Sequence, residues 1–267
     1  MIRDAAPSFV TRKPKGSQDT QKQEVRRDYM LEGASFADRV LEFHDRLSRE
    51  SPSLPTGFKI INPFEGGQNG SAKRMAARFY KMYYDDNCLR RLILGSTPAR
   101  RGSALTGVPF EDVLSLESAT GEPIAEHRTN RTSSGFLHEV IRDYGGREKF
   151  YGDFYMNFVC PVGIVRTSAK GNEVNCDYFA NERLRKSLDP LIVSAMQIQM
   201  SLGIDTSICY CIGSGENFRF LSRLNEAHGW FSEISPLEHP RFIMQYNANR
   251  KDFFLEKYLV LLRGETS

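Results

Sequence analysis

The chain has 267 residues, 40% of them hydrophobic and 26% charged, which is ordinary for a globular protein able to bury a sizeable core. The formal net charge of +3 suits a nucleic-acid partner without demanding one. No apolar run approaches the roughly 18 residues of a membrane-spanning helix, and residues 1–27 lack the apolar stretch of a secretory leader. The five cysteines, Cys88, Cys160, Cys176, Cys209 and Cys211, match neither a zinc site nor a disulfide framework. They are expected as reduced packing residues in a cytoplasmic protein, with no metal and no cofactor.

Residues 1–27 read as a disordered tail in which Arg12, Lys13, Lys15, Lys22, Arg26 and Arg27 crowd together. Such a tail is either simply solvated or a non-specific phosphate-binding arm. From Ser35, a plausible N-cap, Phe36, Val40, Leu41, Phe43, His44 and Leu47 recur at helical spacing. Two prolines between Ser51 and Gly57 end that helix. A second helix fits Ser71–Tyr84, with Met75, Phe79, Tyr80 and Tyr83 on one stripe. Arg91–Gly95 reads as a short buried strand, followed by a Pro/Gly-rich loop to Phe110. His138–Tyr144 reads as a short helix. Asp153–Val165 reads as a strand running into Cys160-Pro161. Leu184–Leu202 is a helix interrupted by Pro190. Ser207–Ile212 is a strand that turns at Gly213-Ser214-Gly215 into a helix over Glu216–His228. Phe231–Ile234 reads as a last strand, and Lys251–Leu262 as the closing helix.

Strands alternating with helices predict an α/β fold over residues 28–267, a single domain with a mainly parallel central sheet between two helical layers. Open sheets of this kind bind ligands at the carboxyl ends of their strands. The polar or glycine-rich segments Gly95–Phe110, Cys160–Val165 and His239 onward all follow strands and are expected to converge there.

Three of these segments carry a family resemblance. Gly95-Ser96-Thr97-Pro98-Ala99-Arg100-Arg101-Gly102-Ser103-Ala104-Leu105-Thr106-Gly107-Val108-Pro109-Phe110 resembles the first motif of the single-strand-selective monofunctional uracil-DNA glycosylases. That motif begins Gly-x-Asn-Pro-Gly and ends Thr-Gly-Val-Pro-Phe at the same separation. Gly95, Pro98 and Thr106–Phe110 match; Thr97 stands where the family has asparagine and Ala99 where it has glycine. His239-Pro240 resembles the family's His-Pro, which opens a loop that wedges into DNA. Asn157-Phe158-Val159-Cys160-Pro161 resembles its Asn before Cys-Pro, with the asparagine one residue further away. The matches run in family order over roughly residues 90–250.

The resemblance implies a uracil-DNA glycosylase-like fold and hydrolysis of the bond holding uracil, or another deaminated base, in DNA. It gives His239 the task of donating to the developing base anion, and Phe110 that of stacking on the flipped base. Asn157 would read the base edge, and Gly95, Ser96 and Pro98 would shape the pocket. Thr97 would hold the attacking water, helped by a carboxylate, with Asp112 and its neighbour Glu111 nearest in sequence. Arg100, Arg101, Ser214, Pro240, Arg241, Phe242, Arg250 and Lys251 would contact DNA. No lysine stands in the matched motifs, so no Schiff-base step is expected. The expected partner is DNA carrying a deaminated base, and the expected state is a monomer.

Plainer readings stand beside these. His239 could be a turn histidine, Phe110 a core ring, and Glu111-Asp112 an acidic helix start. Asn157 could satisfy backbone groups, and Phe242, Ile243 and Met244 could all be core. Because Thr97 replaces the family's asparagine, the alternative function is a catalytically weak or inactive module that binds damaged or single-stranded DNA. Gly213-Ser214-Gly215 weakly resembles a dinucleotide loop but lacks its third glycine.

Overall fold

The computed structural model describes residues 33–65, 70–123 and 131–265. The basic tail over 1–27 lies outside the described residues. Helix α1 (Phe36–Leu47) begins at a capping box: Asp38 N–H donates to Ser35 Oγ, and Ser35 N–H donates back to the Asp38 carboxylate. Its buried stripe of Phe36, Val40, Phe43, His44 and Leu47 packs toward α2 (Ser71–Tyr83), which buries Met75, Phe79 and Tyr80.

Four strands form a wholly parallel sheet: β2 (Arg90–Gly95), β3 (Phe154–Phe158), β6 (Ile204–Ile212) and β7 (Glu233–Leu237), in the spatial order β3-β2-β6-β7. Right-handed crossovers in this order put the β2–β3 connection on one face and the later connections on the other. The first carries α3 (Ser103–Thr106), α4 (Val113–Thr120), α5 (Arg131–Tyr144) and α6 (Arg147–Asp153). The others carry α7 (Glu182–Ser201) and α8 (Glu216–His228). Accordingly α6 packs on β2 and β3, and α7 and α8 on β6. The order reverses between β2 and β6, the kind of switch point at which open sheets place their ligands.

Several elements differ from the sequence reading. The apolar text over Asp153–Val165 is two strands. β3 ends at Phe158, and after a turn through Cys160-Pro161 the chain forms β4 (Gly163–Thr167). β4 sits in a second, antiparallel sheet between β1 (Phe58–Ile61) and β5 (Glu173–Asn175). A continuous apolar run cannot reveal where the chain changes sheets. β6 starts three residues earlier than expected because its pairing with β2 jumps from Arg91–Asp205 to Leu92–Cys209. The last strand is displaced from Phe231–Ile234 to β7. Asn225 holds Phe231 at the end of α8, with Phe231 N–H donating to Asn225 Oδ1 at 2.8 Å. As an edge strand, β7 tolerates Pro236. The segment after His239 is a helix, α9 (Pro240–Tyr246), followed by a 3₁₀ turn over Ala248–Arg250 and α10 (Lys251–Arg263).

All five cysteines are free thiols, and Cys160, Cys176, Cys209 and Cys211 are buried. No helix among the described residues is long and apolar enough to cross a membrane.

Candidate active site

Because the four sheet strands are parallel, Gly95, Phe158, Ile212 and Leu237 end at one edge of the sheet. The loops that follow them carry most of the residues singled out from the sequence. Val159 N–H donates to the Gly95 carbonyl at 2.8 Å, and Cys160 N–H to the Ser96 carbonyl at 3.0 Å. The Cys-Pro turn is thereby laced to the loop holding Ser96, Thr97 and Pro98.

The Thr-Gly-Val-Pro-Phe ending forms a tight turn. Val108 N–H donates to Thr106 Oγ1 at 3.1 Å. Gly107 has φ +71, and a Cβ there would stand 2.5 Å from the Phe64 ring. Phe110 is the only described residue other than glycine with positive φ, at +62. That conformation costs about 1–3 kcal/mol, and it is held by Phe110 N–H donating to Ser103 Oγ at 3.0 Å. It lays the Phe110 ring over Gly95: a Cβ at Gly95 would approach Phe110 Cζ to 2.5 Å and Phe158 Cδ1 to 2.9 Å. The Phe110 and Phe158 rings lie 5.0 Å apart at 30°. Phe110 is therefore a half-buried ring that packs against the edge of the core beside the loop.

His239 caps α9, and its Nδ1 accepts from Arg241 N–H at 3.0 Å. With Nδ1 an acceptor, the neutral ring carries its proton on Nε2, which is left as a donor. Burial holds the imidazole below the usual histidine value. The Arg241 charge adds to this, and the negative charge of Asp177 opposes it. The ring is thus a neutral donor near a carboxylate.

That carboxylate escaped the sequence reading. Asp177 Oδ1 accepts from Ser96 Oγ at 2.7 Å and from Thr97 Oγ1 at 2.8 Å. It is delivered by β5, and Cys176 N–H donating to the Ile164 carbonyl anchors the preceding residue. Its only sequence signal was a carboxylate between two apolar residues, Cys176 and Tyr178, both buried.

The two carboxylates expected near Thr97 serve elsewhere. Asp112 is the N-cap of α4: Ser115 N–H donates to Oδ1 and Ser115 Oγ to Oδ2, both at 2.9 Å. It lines a different cavity with His138 and Arg147. Glu111 is buried and accepts from Tyr151 OH at 2.5 Å and Arg147 Nη2 at 2.8 Å, with His138 Nε2 at 3.0 Å. Burial raises its carboxyl, but the His138, Arg147 and Tyr151 contacts outweigh that and hold it below the usual carboxylate range. Acids that follow the motif directly are thus drawn into α4, α5 and α6.

Asn157 is buried, with Nδ2 donating to Tyr155 OH at 2.8 Å and Oδ1 accepting from Phe158 N–H at 2.9 Å. It lines a narrow cleft with His44, Phe64, Pro98, Ser103 and Pro109. Phe158 beside it meets the Phe110 ring and lines the same cleft. Asn157 satisfies neighbouring groups, yet one amide hydrogen and one lone pair remain for a ligand.

Among the expected DNA contacts, Arg101, Ser214, Arg241, Phe242 and Arg250 are exposed, and Arg100 is half-buried with its N–H donating to Asn175. Phe242, Tyr246 and Phe253 are exposed, and the Arg250 guanidinium sits 4.8 Å from the Phe253 ring centroid. Pro240 and Lys251 are also among the expected DNA contacts. Ile243 is fully buried and Pro240 is buried as the first residue of α9, because the segment is a helix whose inner face joins the core. Lys251 is engaged by Glu139 at 2.7 Å, tying α10 to α5.

A parallel α/β sheet whose switch-point edge gathers a glycine-seated aromatic ring, a neutral histidine donor and a hydroxyl-held carboxylate fits a family of base-excising enzymes. Residues 82–263 match the model of the uracil-DNA glycosylase superfamily, and the chain belongs to that family of DNA glycosylases. It is similar to the crystal structure of wild-type Pedobacter heparinus SMUG2, with 38% identity and a TM-score of 0.81 over 88% of this chain and 98% of that one. No curated protein sequence matches it.

Proposed function

We propose that the protein is a monofunctional DNA glycosylase of base excision repair, hydrolysing the N-glycosidic bond of uracil or another deaminated base flipped out of DNA. The observation that carries this reading is His239, whose Nδ1 accepts from Arg241 N–H and whose imidazole burial holds below the usual histidine value, so that Nε2 is available to donate at the sheet edge that also holds Phe110. Departure of the base leaves negative charge on it, and a preorganised donor stabilises that charge without itself being charged. Phe110 supplies a stacking face, and Asn157 the remaining amide hydrogen-bonding capacity. Unstacking a base costs a few kcal/mol. Phe242, Tyr246 and Phe253, with Arg241 and Arg250, have the composition of a wedge flanked by cations that holds distorted DNA. The proposed partner is DNA with a deaminated base, the proposed state a monomer, and the proposed compartment the cytoplasm.

The test is incubation with a uracil-containing oligonucleotide followed by alkali. The expected product is an intact strand that breaks only after alkali. Strand scission by the enzyme itself would overturn the monofunctional reading.

A further inference from the structure

This inference rests on the glycosylase reading and concerns how water is activated at a site where Thr97 replaces the family's asparagine. Thr97 cannot do what a side-chain amide does, because its hydroxyl proton is given to Asp177 Oδ1 at 2.8 Å. Ser96 Oγ donates to the same oxygen at 2.7 Å. Two donors on one oxygen fix the plane of the carboxylate and leave Oδ2 with no hydrogen bond among the described residues. Asp177 is half-buried between buried Cys176 and Tyr178, so its backbone is held while its head reaches the loop after β2. Glu111 and Asp112, the other carboxylates near the motif, are saturated by Tyr151, Arg147, His138 and Ser115.

We propose that Asp177 is the general base of the reaction. Its Oδ2 takes a proton from the attacking water, while Thr97 Oγ1 accepts that water's second hydrogen bond. The water O–H bond breaks and the proton passes to Asp177. The water oxygen bonds to C1′ of the sugar. The bond between C1′ and the base nitrogen breaks, and its electron pair leaves with the base, whose anion His239 Nε2–H holds. Asp177 then returns the proton to solvent, and no further reactant is needed. The carboxylate that the family's first motif lacks here is thus supplied from the end of β5, 80 residues further along the chain.

The test uses the full chain as Asp177→Asn and Asp177→Glu. Three quantities are measured: single-turnover release of whichever deaminated base the wild type removes, affinity for the same DNA, and melting temperature. Asp177→Asn is expected to slow release by about 100- to 10,000-fold, the usual contribution of a general base. Affinity and melting temperature should stay near wild type, with Asp177→Glu recovering part of the rate. Release by Asp177→Asn within about tenfold of wild type would overturn the proposal. A rate loss matched by equal loss of affinity or of folding would also overturn it, by making Asp177 a structural residue. A wild type that releases no uracil, hypoxanthine or xanthine would instead defeat the glycosylase reading itself, an outcome distinct from an active enzyme with an active Asp177→Asn variant.

Discussion

His44 couples the cleft floor to pH. It is 6% exposed, its ring stacks on Phe64 at 4.0 Å and 14°, and its Nδ1 has no hydrogen-bond partner among the described residues. Burial, opposed by the Asp45 charge and assisted by that of Lys73, lowers its pKa to about 3. The folded chain therefore keeps the ring neutral, while the unfolded chain takes up a proton below the ordinary histidine value of about 6.5. Stability from this site is present above that value and is lost as pH falls toward 3. At pH 5, about 1.5 pH units below the unfolded value and at about 1.4 kcal/mol per unit, the loss is about 2 kcal/mol. Any folded-state value below about 4 gives the same figure, because the ring is then still neutral at pH 5. His44→Phe keeps a flat ring against Phe64 and removes the titrating nitrogen. Urea denaturation at pH 7 and pH 5 should show wild type losing about 2 kcal/mol more than His44→Phe over that interval. Equal losses in the two proteins would refute the assignment of a buried neutral His44.

Other outcomes follow from the same geometry. His239→Ala should slow base release by about 100- to 1000-fold, the usual effect of one missing oxyanion donor, while loss of its cap on α9 costs about 1 kcal/mol of stability. Since burial holds the His239 imidazole below 6.5, the acid limb of the rate profile should lie below that pH; a limb at or above it would contradict a neutral donor. Gly95→Ala puts a Cβ 2.5 Å from Phe110 Cζ. It should destabilise the fold by about 1–3 kcal/mol and displace the Phe110 ring, seen as reduced melting temperature together with reduced base release. Asp112→Ala should cost about 1 kcal/mol through loss of the α4 cap, with base release per folded molecule retained.

Much of the frame was legible because local chemistry and the global fold agree. Ser35 marks the start of α1. The stripes of α1 and α2 have a helical period, and Gly213 and Gly215 bracket the turn from β6 to α8. The Thr106–Phe110 and His239-Pro240 segments pointed to two of the loops that follow the carboxyl ends of the sheet strands. What the sequence left open depends on contacts between distant segments. The switch from β3 into an antiparallel sheet is hidden inside one apolar run. Asp177 follows a three-residue strand with no motif, and only the fold brings it to Thr97, whereas Asp112 sits close in sequence and is turned into a helix cap. Ile243 and Phe242 are neighbours in an apolar stretch, and only helix α9 decides that one is core and the other exposed.

The measurement that tests the central claim most directly is release of free base from oligonucleotides carrying uracil, hypoxanthine or xanthine, single- and double-stranded, with Thr97→Asn alongside the wild type. The account predicts that the wild type releases at least one of these bases, with Thr97 in place, because Asp177 supplies the carboxylate. Tight binding of the same DNA with no release by wild type, and release appearing only in Thr97→Asn, would contradict it and make the protein a binding module of the glycosylase fold.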